Sequence, residues 1–155
     1  MIRVVLQQNG ASVNGSMFNL APRLESLLTA MGKPAVREKQ ILDQGRLWRN
    51  FVVLDEVGVC LLYDVDGQCV IDITFRLGAA VSSNSPRSIF AGLLFVNNTR
   101  LIPAMKEKDL PTRGEFEFVK RGAWKATKGA LFVEMQLRDR LLSAVSLSFL
   151  KSQAL

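Results

Sequence analysis

The chain contains no histidine. That removes the commonest general base, the Ser-His and Cys-His nucleophile pairs, and most zinc sites. Carboxylates, lysines and a single tyrosine remain, so the residues point to a non-catalytic protein with no cofactor and no bound metal. Cysteine is almost as scarce: Cys60 and Cys69 are the only two. They form no CxxC pair and fall on opposite faces of the hairpin described next. A disulfide needs Cα atoms within about 7 Å and converging Cβ vectors. Both thiols are therefore expected to be buried and reduced, as in a reducing compartment. Long apolar runs are also missing, and none approaches the roughly 18 residues of a membrane helix. The start, MIRVVLQQNG, turns polar too soon for the apolar core of a signal peptide. The expected location is the cytoplasm, with no membrane partner.

What is present is a chain that is 48% hydrophobic and 22% charged over 155 residues. That composition predicts one folded domain spanning residues 1–155 with its own core. The stretch Phe51 to Phe75, FVVLDEVGVCLLYDVDGQCVIDITF, carries the clearest pattern. Val57, Val59, Leu61 and Tyr63 alternate on one side of an Asp/Gly turn, and Cys69, Ile71, Ile73 and Phe75 on the other, which is a hairpin signal. A loop of Val65-Asp66-Gly67 would set Asp64 against Gln68, Leu61 against Ile71 and Val59 against Ile73. The other face of the first strand holds Gly58, Cys60 and Leu62. A strand apolar on both faces belongs inside a sheet rather than at its edge.

Either side of this hairpin the pattern continues. Asn9-Gly10 predicts a first hairpin with Leu6 opposite Val13. Leu20, Leu24, Leu27, Leu28 and Met31 share a helical face, with Asn19 as N-cap, Pro22 in the first turn and Gly32 at the end. Residues 33–50 read as a polar connection with a helical turn near Glu38 to Leu42. Asp55 and Glu56 fit the bend that begins the central hairpin. A surface loop is expected from Ser82 to Ser88, a strand from Phe90 to Val96, a turn at Asn97-Asn98 toward Leu101, and a charged loop over residues 103–114. Phe116 with Phe118, Trp124 with Ala126, and Leu131 to Leu137 then alternate as strands. A bend at Arg138-Asp139-Arg140 would set Val133 against Val145. The expected fold is α+β: a mostly antiparallel sheet of about eight short strands packed with one N-terminal amphipathic helix.

Several clusters invite a chemical reading. Asp64-Val65-Asp66-Gly67 opens like a calcium loop, but such a loop needs Gly at its sixth position and Glu at its twelfth; here these are Cys69 and Phe75. Asp72 lies on an inner strand and needs a partner, for which Arg76 on the same face is the simplest candidate. The formal charge of +6 attracts acidic partners. From Arg100 to Lys128, lysines and arginines interleave with Phe116, Phe118 and Trp124, a mixture that nucleic-acid binders use. Glu107, Asp109, Glu115 and Glu117 interrupt that stretch, so nucleic acid stays the alternative partner. Arg46-Leu47-Trp48-Arg49 has the composition of a protein-interface anchor.

Met31-Gly32-Lys33-Pro34 at a helix end, Leu54-Asp55-Glu56-Val57-Gly58-Val59, Pro86 to Gly92 (PRSIFAG) and Leu94-Phe95-Val96-Asn97-Asn98 occur in that order. Over residues 2 to 102 this resembles a group of small bacterial proteins found near secreted toxins. Its members include immunity proteins of type VI secretion and related polymorphic toxin systems. Asn97-Asn98 departs from the Asn-Gly expected there. The resemblance implies a non-catalytic inhibitor that binds its cognate toxin and occludes it. The positive charge implies a toxin with an acidic surface. The interface expected from these readings is Arg46, Trp48, Arg49, Arg113, Arg121 and Trp124. A secretion-system adaptor or chaperone is the other alternative.

Overall fold

The computed structural model describes residues 1–7, 10–43, 46–64, 68–79, 85–112, 114–119 and 122–150, with main chain only for 39–43, 46–49 and 128. The chain opens with β1 (Arg3–Gln7) and β2 (Gly10–Val13), paired so that Gln7 faces Gly10 and Leu6 faces Ala11. Gly10 is thus paired within β2 instead of standing in the expected turn, Val13 faces Val4, and Asn9 lies outside the described residues. Gly10 serves a different purpose: a Cβ there would lie 2.3 Å from the Phe18 carbonyl oxygen. That close neighbour belongs to β3 (Ser16–Phe18), which follows a second Asn-Gly pair, Asn14-Gly15. Both turn residues are left-handed, as a two-residue hairpin turn requires. The Asn14 side chain accepts from the Arg3 N–H at 2.8 Å and donates to the Ala30 carbonyl at 2.9 Å, tying the turn to the helix that follows.

That helix, α1 (Leu24–Ala30), is only seven residues long and begins later than the apolar face predicts. The main chain ahead of it is otherwise engaged. Val70 N–H donates to the Pro22 carbonyl at 2.7 Å, and Leu24 N–H donates to the Gln68 carbonyl at 2.9 Å. Residues 21–23 are thus extended, Asn19 caps nothing helical, and Leu20 is 37% exposed. Leu27 is fully buried, and Leu24 and Leu28 pack against the core.

The polar connection expected after the helix is instead a hairpin, β4 (Arg37–Asp43) and β5 (Arg46–Leu54). β4 ends its sheet, and an edge strand held by one neighbour can be charged throughout. It therefore lacks the apolar alternation that betrays a strand. Asp55 and Glu56 stand in the bend expected of them, but the turn runs on through Val57 and Gly58, which the alternation puts on the strand, before β6 (Val59–Tyr63) and β7 (Val70–Arg76). Their register is two residues away from the expected one, with Val59 facing Phe75 and Leu61 facing Ile73. A bulge between Leu62 and Tyr63 takes up one residue of that difference, so that Tyr63 faces Val70. The Asp64 N–H closes the connection on the Cys69 carbonyl at 2.9 Å, and Cys69 then bridges to Arg23. Residues 65–67, where the tight turn was expected, lie outside the described residues.

β8 (Leu93–Val96) and β9 (Thr99–Leu101) form the predicted hairpin, with Asn97 and Asn98 both left-handed. The charged loop holds a single 3-10 turn over Glu107–Asp109. Four strands complete the chain: β10 (Glu117–Val119), β11 (Ala123–Lys128), β12 (Leu131–Arg138) and β13 (Leu141–Phe149). The β12–β13 turn is Asp139-Arg140, so Val133 faces Leu147 and Met135 faces Val145. The expected Val133–Val145 pair fails for two reasons of one residue each: the turn lacks Arg138, and a bulge between Gln136 and Leu137 adds Ser143 to the second strand.

The described residues thus hold thirteen strands in two sheets, against the expected one sheet of about eight. The smaller runs β3-β2-β1-β8-β9, with β1 and β8 parallel; the larger runs β10-β11-β12-β13-β7-β6-β5-β4 and is antiparallel throughout. β6 lies inside the larger sheet, as its two apolar faces require. A single core cluster joins Val4, Leu6, Leu94 and Val96 of the smaller sheet to Leu61, Ile73, Phe75, Val133, Met135 and Leu147 of the larger. Among the described residues no helix is long and apolar enough to cross a membrane.

Candidate interface at the sheet edge

The expected interface residues do not share one strand pair. Arg46, Trp48 and Arg49 lie on β5, where Leu47 faces Leu42 and Arg49 faces Ile41, which leaves Trp48 as the extra residue of a bulge. Their side chains lie outside the described residues, as do Arg113 and Arg121 altogether. Trp124 lies on β11, facing Phe118 on β10 and Met135 on β12. β5 and β11 are five strand positions apart in the larger sheet. At a usual spacing of about 4.8 Å that is about 24 Å along the sheet. The β5 group and Trp124 therefore stand near opposite edges.

At the β10 edge, the aromatic pair is built by the hairpin itself. Phe118 and Trp124 face each other across strands, with ring centroids 5.3 Å apart and planes at 72°. Such edge-to-face contacts contribute about 0.5–1.5 kcal/mol beyond area burial. Trp124 also packs on the core, and its Nε1 is buried with no acceptor among the described residues. Phe118 is 62% exposed, although Phe116, two positions earlier, is buried. The two do not share a strand face, since β10 begins only at Glu117. Beside the pair, Lys125 makes a 3.7 Å ion pair with Glu134 and lies 5.8 Å from the centre of the Phe132 ring. The alternation of Phe116 with Phe118 predicts one shared strand face, and the structure separates them. The signal for the true place of Phe118 was the cross-strand match with Trp124 about a centre at Arg121.

The strongest electrostatic feature lies elsewhere, at the β5–β6 turn. Arg37 grips the Asp55 carboxylate with two bonds, at 2.7 and 2.9 Å. The Arg87 N–H adds a third at 3.0 Å, and Ser88 N–H donates to the Asp55 carbonyl. Held first by the Arg37 hydrogen bond and then by Arg87, the Asp55 carboxyl is lowered to about 2. This group pins residues 85–90 over the turn. Phe90 follows, fully inside, edge-on to Phe75 with ring centroids at 5.0 Å. The cluster is structural in character: its charges are paired to one another.

Away from the core, the larger sheet carries hydroxyls where an ion pair was expected. Asp72 accepts from Ser148 Oγ at 2.7 Å and from Thr74 Oγ1 at 3.1 Å. Thr74 and Ser146 hydroxyls lie 2.9 Å apart. Arg76 gives Nε to the Gly78 carbonyl and Nη1 to those of Pro86 and Arg87, so it anchors the following segment. Cys60 lies on this face and Cys69 in the core; both are free thiols. Burial pushes the Cys60 thiol up to about 11, with the Asp72 charge adding to it. Such a thiol is a poor nucleophile at neutral pH. Among the described residues no group of carboxylates and thiols could hold a metal ion.

The profile of one protein family matches residues 3–110, a family described as a domain of unknown function (DUF7738). The match covers more than half of the 155 residues. The chain belongs to that family. The DUF7738 segment contains the whole smaller sheet, α1, and β4 to β7 of the larger. The strands β10 to β13 lie beyond it, and with them the Phe118–Trp124 pair. No curated protein and no solved structure matches the chain.

Proposed function

We propose that this DUF7738 protein is an immunity-type binding protein: it holds a cognate secreted toxin in the cytoplasm of the producing cell and occludes it, without catalysis. The observation that carries the reading is Phe118, mostly exposed yet seated on Trp124 on the strand that ends the larger sheet among the described residues. An exposed aromatic on a rigid support is the kind of residue that anchors a protein partner. Among the described residues its strand, β10, has a neighbour on one side only, and an incoming strand can add to such an edge. The formal charge of +6 favours a partner with an acidic face. The family resemblance in residues 2 to 102 supplies the toxin as that partner.

The test is co-expression with the product of the neighbouring open reading frame, followed by co-purification at moderate salt. A stoichiometric complex and loss of the neighbour's toxicity are expected. Phe118→Ala should weaken the complex by at least about tenfold, a typical anchor effect of about 1.4 kcal/mol or more. Its melting temperature should fall by only about 1–6 °C, since the contact with Trp124 is worth about 0.5–1.5 kcal/mol and the exposed remainder of the side chain contributes little. A partner that remains active in the complex would replace this reading with a secretion adaptor. Nucleic acid in place of protein, removed by salt, would replace it with a nucleic-acid-binding module.

A further inference from the structure

A groove of about 450 Å³ lies at the opposite end of the β12–β13 hairpin from the strand termini, lined by Lys106, Glu107, Lys108, Arg140 and Leu141. Its two walls come from distant parts of the chain. One is the segment entering the 3-10 turn, and the other is the Asp139-Arg140 turn with the start of β13. They are joined firmly: Glu107 N–H donates to the Arg140 carbonyl at 3.0 Å, Leu142 N–H donates to the Met105 carbonyl at 2.8 Å, and Lys106 bridges Leu141. Leu141, 39% exposed, gives the groove an apolar element. Three cations and one carboxylate surround it, and among the described residues no carboxylate pairs with Lys106, Lys108 or Arg140. Asp109 and Asp139 belong to the same segments but do not line it.

The backbone of both walls is strained. Ala104 has φ of 53°, Asp139 of 54° and Arg140 of 63°. Asn and Gly are the residues suited to such positions, and an Arg there costs stability. Strain of that kind persists where the surrounding structure holds it, and it gathers at sites of function. Here it sets Arg140 in the hairpin turn that lines the groove.

We propose that this groove docks an acidic peptide segment of the partner, one that lays an apolar side chain beside Leu141 with carboxylates toward Lys106, Lys108 and Arg140. The assignment rests on the reading of the chain as a binding protein for an acidic partner and gives that reading a place. Carboxylates match the cations by charge, and the guanidinium of Arg140 can take a carboxylate with two bonds. Among the described residues no aromatic lines the groove, and stacking a base needs such a platform.

The experiment is an NMR titration of the full chain with the peptide acetyl-Asp-Leu-Glu-Asp-amide. A lysine-for-acid version and a single-stranded oligonucleotide serve as comparison probes. Shift changes should concentrate at residues 104–108 and 138–142, and binding should weaken several-fold from low to high salt. The Lys108→Glu, Arg140→Glu double variant should weaken binding by about tenfold or more. Arg140→Gly removes the cation and the left-handed strain together, so binding should weaken while the melting temperature rises. Shifts elsewhere, no shifts, or equal affinity in the double variant would overturn the proposal. So would preference for the oligonucleotide, or an Arg140→Gly variant that loses stability or keeps its affinity. The peptide needs no toxin, so its failure removes the groove alone; peptide binding without capture of the neighbouring protein removes the toxin reading alone.

Discussion

Replacing Gly58 by Ala tests how residues 85–90 are held to the larger sheet. Gly58 has φ of +81°, and a Cβ there would lie 2.3 Å from the Phe90 nitrogen, 2.5 Å from the Ile89 carbonyl carbon and 2.6 Å from the Phe90 Cα. All three are backbone atoms, so no side chain can swing away. The left-handed conformation alone costs an alanine about 1–2 kcal/mol. The clash must in addition move the Phe90 main chain, whose N–H donates to the Arg76 carbonyl at 2.7 Å and whose ring is buried against Phe75. Losing the whole Phe90 side chain would cost about 3–5 kcal/mol, and a displaced ring loses part of that. The expected total is about 3–5 kcal/mol, a drop of about 6–20 °C in melting temperature for a chain of this length. Gly15→Ala is the control: φ is +86° but nothing lies within 4 Å of the added carbon, so it should cost only about 1–2 kcal/mol. Urea unfolding of both variants measures the difference. If Gly58→Ala is no worse than Gly15→Ala, the loop does not press on the turn and the packing argument fails.

Other expectations follow from the same geometry. The Asp55 carboxyl is lowered to about 2 from an ordinary value of 3.8, so its stabilising contribution is complete above about pH 4 and is lost as pH falls through 2. Arg37 is partly exposed, so solvent screening leaves this contribution on the order of 1 kcal/mol. Asp55→Asn should flatten that limb of the stability–pH curve, and an unchanged limb would refute the assignment. Cys60, raised to about 11 by burial, should resist thiol reagents at pH 8 in the native chain and react at the ordinary rate in urea. Fast native labelling would contradict its placement. A chain cut after residue 110 removes β13 and exposes the β7 edge and the Ile73 and Phe75 core face, so it should be aggregation-prone or unfolded by circular dichroism and light scattering.

Much of the fold was legible in the alternation of apolar residues, and the errors have a common cause. At both β6–β7 and β12–β13 the observed pairing is two residues from the expected one, across bulges at Leu62/Tyr63 and Gln136/Leu137. Side chains repeat on one face every two residues, so such a shift preserves which residues are buried. Val59, Leu61, Ile73, Val133 and Val145 were read as inward and are inward. Nothing in their pattern could betray a bulge. β3 is absent from the sequence reading although Asn14-Gly15 carries the signal for it, the same one as Asn9-Gly10. β4 was not legible, because an edge strand needs no apolar face. The division into two sheets hangs on the parallel pairing of β1 with β8, some ninety residues later, which local pattern cannot report. The interface suffered likewise: composition singled out Trp48 and Trp124, while their separation follows from strand order alone.

Strand order also explains where the two proposed binding surfaces stand. Within the DUF7738 segment the larger sheet stops at β7, and β13 continues it, placing Val145 against Phe75 and Leu147 against Ile73 over the shared core. A seam that buries such side chains cannot be altered without loss of stability, because large-to-small changes there cost about 2–5 kcal/mol. The far side of the meander is under no such constraint. Phe118 stands two strands beyond β12, at an edge, and Arg140 stands in a hairpin turn that leaves the sheet. Substitution at either place changes what the surface offers while Val133, Met135 and Leu147 go on holding the sheet together. The groove reinforces the point, since Lys106 and Lys108 come from the matched segment and Arg140 from the meander. Its shape therefore reports whether the two parts are docked, and a partner that recognises it recognises the complete sheet.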